Sequence, residues 1–128
     1  MSVLETHPAT RAIDALLVQL ALAGVDASRD AGAFYPQPAG VLVGLPALVK
    51  RGLASRTYEI TVLVVSGDPL NAPPAVDRLY ALADDAALAL SIDTYAPGSW
   101  RSSINAEPLP ALELTATVTV TETPEEVP

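Results

Sequence analysis

The stretch from Arg56 to Ser66 restricts the fold more than any other. Tyr58, Ile60, Val62 and Val64 alternate there with Thr57, Glu59, Thr61, Leu63 and Val65. A period of two puts successive side chains on opposite faces of an extended chain, so the stretch is a β-strand. Its first half is apolar on one face only, and its second half is apolar on both. Such a strand belongs in the middle of a sheet, half exposed at one end and covered at the other. The rest of the chain must supply its neighbours and its cover.

A second long strand is predicted from Leu112 to Glu122, where Leu112, Leu114, Ala116, Val118 and Val120 alternate with Glu113 and four threonines. That pattern has one buried face and one wet face. Two segments have helical spacing instead. Ile13, Leu16, Leu17, Leu20 and Ala23 form one stripe in a helix that starts near Pro8 and ends at Gly24. A first-turn proline loses no hydrogen bond, and glycine takes the left-handed conformation that ends many helices. Val76, Leu79, Tyr80, Ala83, Ala87 and Leu90 form the second stripe, with Asp77, Asp84 and Asp85 opposite. That helix carries Pro73 and Pro74 in its first turn, is capped by Asn71 or the residues just after it, and runs to about Leu90.

The remaining segments are shorter. Val25 to Ser28 is β-prone, Asp30 to Gly40 reads as loop, and Val41 to Val43 is a brief strand. Pro46 to Ser55 reads as an excursion before the long strand. Ser91 to Ala106 is turn-rich, with β-capable pieces at Thr94-Tyr95 and Trp100-Arg101. The expected fold class is α+β: a mostly antiparallel or mixed sheet of about four to five strands with two helices packed on one face. Residues 1–122 form a single domain in this reading, and Thr123 to Pro128 form a disordered acidic tail.

Composition narrows function chiefly by exclusion. Half of the 128 residues are hydrophobic but only 5% are aromatic, so one core of small aliphatic side chains is expected. The absence of cysteine excludes disulfides, thiolate metal sites and cysteine nucleophiles. Seven basic residues against fifteen acidic ones give a net charge of −8, the wrong sign for gripping phosphates. The acidic sign suits a channel wall that repels DNA, but most acidic proteins are simply soluble, and the charge alone does not choose between the two. Met1 to Thr10 lacks a basic start followed by an apolar stretch, so no secretion signal is expected and the cytoplasm is the expected compartment. Ala12 to Val25 is too short for a membrane span and is interrupted by Asp14 and Gln19.

No catalytic, cofactor or metal site is expected. His7 stands alone beside Pro8, which suits a helix cap or a solvent position better than a triad or a metal ligand. Asp84 and Asp85 are adjacent on a helix, so their side chains point about 100° apart and read as a solvated face. Gly40 to Gly44 lacks the lysine and hydroxyl ending of a phosphate loop, and Asp68 to Asn71 lacks the glycine and glutamate of a calcium loop. Lys50, Arg51 and Arg56 are the one basic concentration, either a solvated loop or a contact reaching an acidic neighbour. Trp100, beside Arg101, is either a core plug or an interface anchor.

The run Arg56-Thr57-Tyr58-Glu59-Ile60-Thr61-Val62-Leu63-Val64-Val65-Ser66-Gly67, followed by Val76-Asp77-Arg78-Leu79-Tyr80-Ala81-Leu82-Ala83-Asp84, resembles the tail terminator proteins of long-tailed bacteriophages, the lambda-type tail-to-head joining group. The short first helix and the threonine- and valine-rich last strand, Leu114 to Thr121, extend the resemblance over most of the chain. It implies a non-enzymatic virion protein without a cofactor, made in the host cytoplasm and placed at the head-proximal end of the tail. There it forms a hexameric ring, stops growth of the tail tube and presents a docking surface to the connector of the filled head. The implied partners are its own copies, the major tail tube protein and the head-tail connector proteins, with DNA passing through the lumen unbound and no membrane involved. A ring needs head-to-tail contacts that close after a fixed rotation, and loops and sheet edges supply them. The expected contact segments are Pro46 to Arg56 and Asp93 to Arg101, with Lys50, Arg51, Arg56, Tyr95, Trp100 and Arg101 as interface residues. The matched strand and helix are structural and carry no binding residues across.

Two alternatives remain open at this level. One is another phage neck or minor tail component; the other is a non-catalytic accessory domain of a bacterial complex that binds a ligand on its open sheet face. A ring former elutes near six times 13.3 kDa, whereas an accessory domain is monomeric or dimeric with a concave pocket.

Overall fold

The structure, a computed structural model, describes residues 7–32, 34, 36–101 and 108–121. The expected acidic tail after Thr121 lies outside these residues, as does most of the N-terminal stretch read for a secretion signal. In chain order the elements are α1 (Pro8–Leu22), β1 (Ala27–Ser28), β2 (Ala39–Val43), β3 (Ala47–Arg51), β4 (Ser55–Ser66), α2 (Pro73–Leu90), β5 (Ala96–Trp100) and β6 (Leu109–Thr121). The fold is α+β, with the two helices packed on a mixed sheet.

β4 is the axis of the sheet, as its sequence requires. It pairs antiparallel with β6 from Ser55↔Thr121 to Val65↔Ala111, so the two longest strands lie side by side over nearly their whole length. β5 adds to the far side of β6, antiparallel, from Ala96↔Glu113 to Trp100↔Leu109. On the other side of β4 lie two strands end to end. β2 pairs with its C-terminal half, Val41↔Val64 among the partners, and β3 pairs with its N-terminal half, Leu48↔Tyr58 and Arg51↔Arg56 among them. β1 pairs parallel with β2, which makes the sheet mixed.

Three expectations change here. The sheet has six strands among the described residues, not about four to five. Pro46 to Ser55 is no excursion: β2 and β3 form one long bent strand folded against β4. The register slips between Val43↔Val62 and Ala47↔Glu59, and again between Leu48 and Lys50, so bulged residues carry the bend. The Gly44 amide still donates to the Thr61 carbonyl at 2.9 Å, which holds the bend onto β4. Finally, the strand before β6 is Ala96 to Trp100 and includes Pro97, a residue that sheets accept on an edge strand such as this one.

The main core lies under the helices. Ile60, Val62 and Val64 of β4, Leu112 and Leu114 of β6, and Val41 of β2 share one face, and all are buried. Leu16 and Leu20 of α1 and Leu79 and Ala83 of α2 cover them. Both helices close with the same C-terminal bond pair. Val25 N–H donates to the Leu20 carbonyl and Gly24 N–H to Ala21 in α1; Ile92 N–H donates to Ala87 and Ser91 N–H to Leu88 in α2. The left-handed residue is Gly24 in the first and Ser91 in the second.

The opposite face of the sheet is divided. At one end, Gly98, Ala111, Val65 and Gly40 stand in one row across β5, β6, β4 and β2. Phe34 lies directly over Gly40, where an added Cβ would be 2.8 Å from its ring. Its ring meets Trp100 edge to face, with centroids 5.1 Å apart and planes at 85°. This aromatic pair closes over a row of small residues, and Val65 and Ala111 beneath are buried. At the other end the same face is open and polar, with Thr57 and Thr119 directly opposite and their hydroxyls 3.0 Å apart. The half-exposed, half-covered strand inferred from Arg56 to Ser66 therefore has its physical cover.

Candidate functional site

The six predicted interface residues fall into two separate groups. Lys50, Arg51 and Arg56 belong to the end of the sheet formed by β3 and the start of β4. Trp100 pairs with Leu109, whereas Arg56 pairs with Val120, eleven residues further along β6. At about 3.3 Å per residue Trp100 and Arg56 are roughly 36 Å apart along that strand, with Tyr95, at the other end of β5, nearer. Tyr95 and Arg101 flank β5 at its two ends.

The first group stands on an arm. All five residues of β3 are exposed, and β3 packs against β4 alone, without a helix on either side. Leu45, Leu48, Val49 and Leu53 are exposed here, Leu45 to 88% and Leu53 completely. Lys50 stands opposite Thr57 and Arg51 opposite Arg56, so adjacent cations point to the two faces of the arm. Arg56 is half-buried. A fourth cation closes on this end: Arg11 of α1 donates through Nη1 to the carbonyl of Thr121 at 3.1 Å, beside the arm's base. Four of the chain's seven basic residues thus gather where β4 begins. Lys50 and Arg51, read as part of a loop, are on a strand.

In the second group, Trp100 is a plug over the covered end of the sheet, half-buried against Phe34. Arg101 follows it and is exposed. Tyr95 reaches across to α2, where its hydroxyl donates to Asp84 Oδ1 at 2.6 Å and its ring lies 6.0 Å from that of Tyr80. The Asp84 carboxylate accepting this bond, with a smaller desolvation contribution, holds the Tyr95 hydroxyl pKa above its usual 10.0. Asp84 is thus tied to the segment that leads into β5.

The other candidates have structural roles. His7 Nδ1 accepts from the Ala9 amide at 3.0 Å and caps α1, one of the two roles expected for it. The cap position of α2 falls on Ala72, the residue just after Asn71, and it has no side-chain acceptor; Asn71 itself takes a left-handed conformation. Asp68 holds this turn instead, accepting from Leu70 N–H at 2.8 Å and Ala72 N–H at 3.4 Å. Arg29 pairs with Asp14 at 2.6 Å on the surface. Two shallow depressions open nearby, one of about 360 Å³ beside Arg29, Leu42 and Leu45, and one of about 310 Å³ beside Tyr95 and Glu113. Neither converges several titratable groups, and among the described residues no three His, Cys, Asp or Glu side chains are placed to share a metal ion.

What the sequence alone misses is the exposure of Leu45, Leu48, Val49 and Leu53. Their apolar character reads as burial until the pairing of β3 is known. The interleaving of these residues with Lys50 and Arg51 is the available signal, since a core strand has no place for two adjacent cations. No protein-family model matches the chain, and no curated protein is significantly similar to it.

Proposed function

We propose that the protein is a virion assembly subunit that forms a ring, hexameric in the tail terminator reading, on the head-proximal end of a phage tail tube. There it caps the tube and offers a docking surface to the head connector. The observation that carries this reading is the β3–β4 arm: an uncovered hairpin, apolar and basic, on a chain whose net charge is −8. An exposed edge with apolar side chains is a surface for contact with another chain, and because the bulge, Lys50 and Arg51 discourage indiscriminate strand pairing there, the contact left to it is through side chains with a chosen partner. The resemblance of Arg56–Gly67 and Val76–Asp84 to tail terminators supplies the kind of assembly. Contacts between copies, and not chemistry within one copy, are the activity in this reading.

The test is reconstitution. Purified tails lacking their terminal ring are mixed with the protein and then with filled heads. Capped tubes of fixed length and infectious particles are expected. Tubes that continue to elongate and never join heads in the presence of the protein would refute the reading.

A further inference from the structure

The arm has a complementary surface on the same chain. Along α2, Asp77, Ala81, Asp84, Asp85 and Leu88 recur at helical spacing and are all exposed, Leu88 to 81%. Tyr80, also exposed, flanks them. This outer stripe joins three carboxylates to an uncovered leucine and a tyrosine, with one cation, the exposed Arg78, beside Asp85 at its margin, so it keeps a net negative charge. The arm joins Lys50 and Arg51 to uncovered Leu48, Val49 and Leu53. Sign and polarity match on both counts.

The two surfaces belong to different layers of the molecule. β3 lies on an edge of the sheet, paired with β4, whereas the stripe is on the side of α2 turned away from the sheet that its buried residues cover. One copy therefore cannot bring its own arm to its own stripe. A neighbouring copy can, and a contact between two different patches of identical chains is heterologous, the kind that generates rings.

We infer that the β3–β4 arm of one copy docks on the outer stripe of α2 in the next, with the face that carries Leu48 and Arg51 against Leu88 and the carboxylates of Asp77, Asp84 and Asp85, and with Lys50, on the arm's other face, adding to its positive charge. This deepens the proposal above and rests on its ring. Like charges placed against each other in such a contact weaken it on the order of 100-fold. Raising salt weakens the native contact through its charged part.

Charge swapping tests the contact. K50E/R51E carries an acidic arm and the native stripe; D77K/D85K carries the native arm and a basic stripe. Both sets of substitutions are on exposed side chains and leave the Tyr95–Asp84 bond in place. In analytical ultracentrifugation the native protein is expected as a closed oligomer and each variant alone as a monomer. An equimolar mixture of the two is expected to recover the oligomer, because every contact in an alternating ring then pairs opposite charges; recovery also shows that both variants are folded. A native protein that stays monomeric at every concentration overturns the inference. If the native oligomer forms and either variant alone retains it, the arm-to-stripe contact is wrong while a ring of other geometry stands. If the contact behaves as described but tails are neither capped nor joined to heads, the contact stands and the tail function fails.

Discussion

The ends of the two helices show how far a single residue can be read. Gly24 and Ser91 do the same job, each left-handed at the end of a helix whose last carbonyls are met by the same pair of bonds. Glycine announces this position because it reaches positive φ without a steric cost, and α1 could be ended from the sequence for that reason. Serine does not, because it is common in turns of every kind. Ser91→Gly removes the strain of a Cβ in the left-handed region, and a gain of about 0.5–1 kcal/mol in unfolding free energy is expected by urea titration. Tyr95 is a second case. Its hydroxyl donates to Asp84 only while protonated, and its folded pKa is raised above 10.0, so the bond contributes below the unfolded pKa and is lost as pH rises through the folded one. Tyr95→Phe is therefore expected to melt slightly below the native protein at neutral pH. The difference should vanish once both are measured well above pH 10; a gap that persists there would assign the effect to packing.

At the scale of elements, the long strands and both helices were legible because their periodicity runs over many residues. β3 and β5 were not. Five residues that include Lys50 and Arg51, or Pro97 and Gly98, have no periodic signal, and they are extended only because β4 and β6 offer unpaired backbone along their flanks. The cover on the second face was legible as a need and not as a solution. The second half of β4 called for burial on both faces, but Phe34, which lies over Gly40 beside Val65, comes from a loop of irregular sequence. Trp100 is the only tryptophan in the chain, so this contact can be followed by fluorescence. Phe34→Ala uncovers the indole and the row beneath it: a red-shifted emission maximum is expected, together with a loss of roughly 1–3 kcal/mol, below the usual range for a fully buried phenylalanine because Phe34 is half-exposed. An unchanged emission spectrum would mean that Phe34 does not roof this face.

For the whole molecule, the central question is whether the arm is an ornament or a joint. β3 adds little to the core, since all five of its residues are exposed, Leu48 and Val49 to about half. Substitutions there should leave the monomer's stability within about 0.5 kcal/mol, as for other exposed positions. Assembly would couple the two properties: the melting temperature of the native protein is expected to rise with protein concentration, and that of K50E/R51E to stay constant. A native melting temperature independent of concentration over two decades would count against a ring in solution. The amino-acid sequence by itself determined the α+β class, the two core stripes, the one-wet-face pattern of β6 and the uneven cover of β4, because burial periodicity is a local property written every two or every 3.6 residues. Only the tertiary structure decided that Leu48, Val49 and Leu53 are exposed, that Trp100 meets Phe34 edge to face, and that a basic arm and a largely acidic stripe are exposed on different layers. Those outcomes depend on which backbone edges remain unpaired after the long strands have met, and pairing between distant segments leaves no local mark on the residues it exposes.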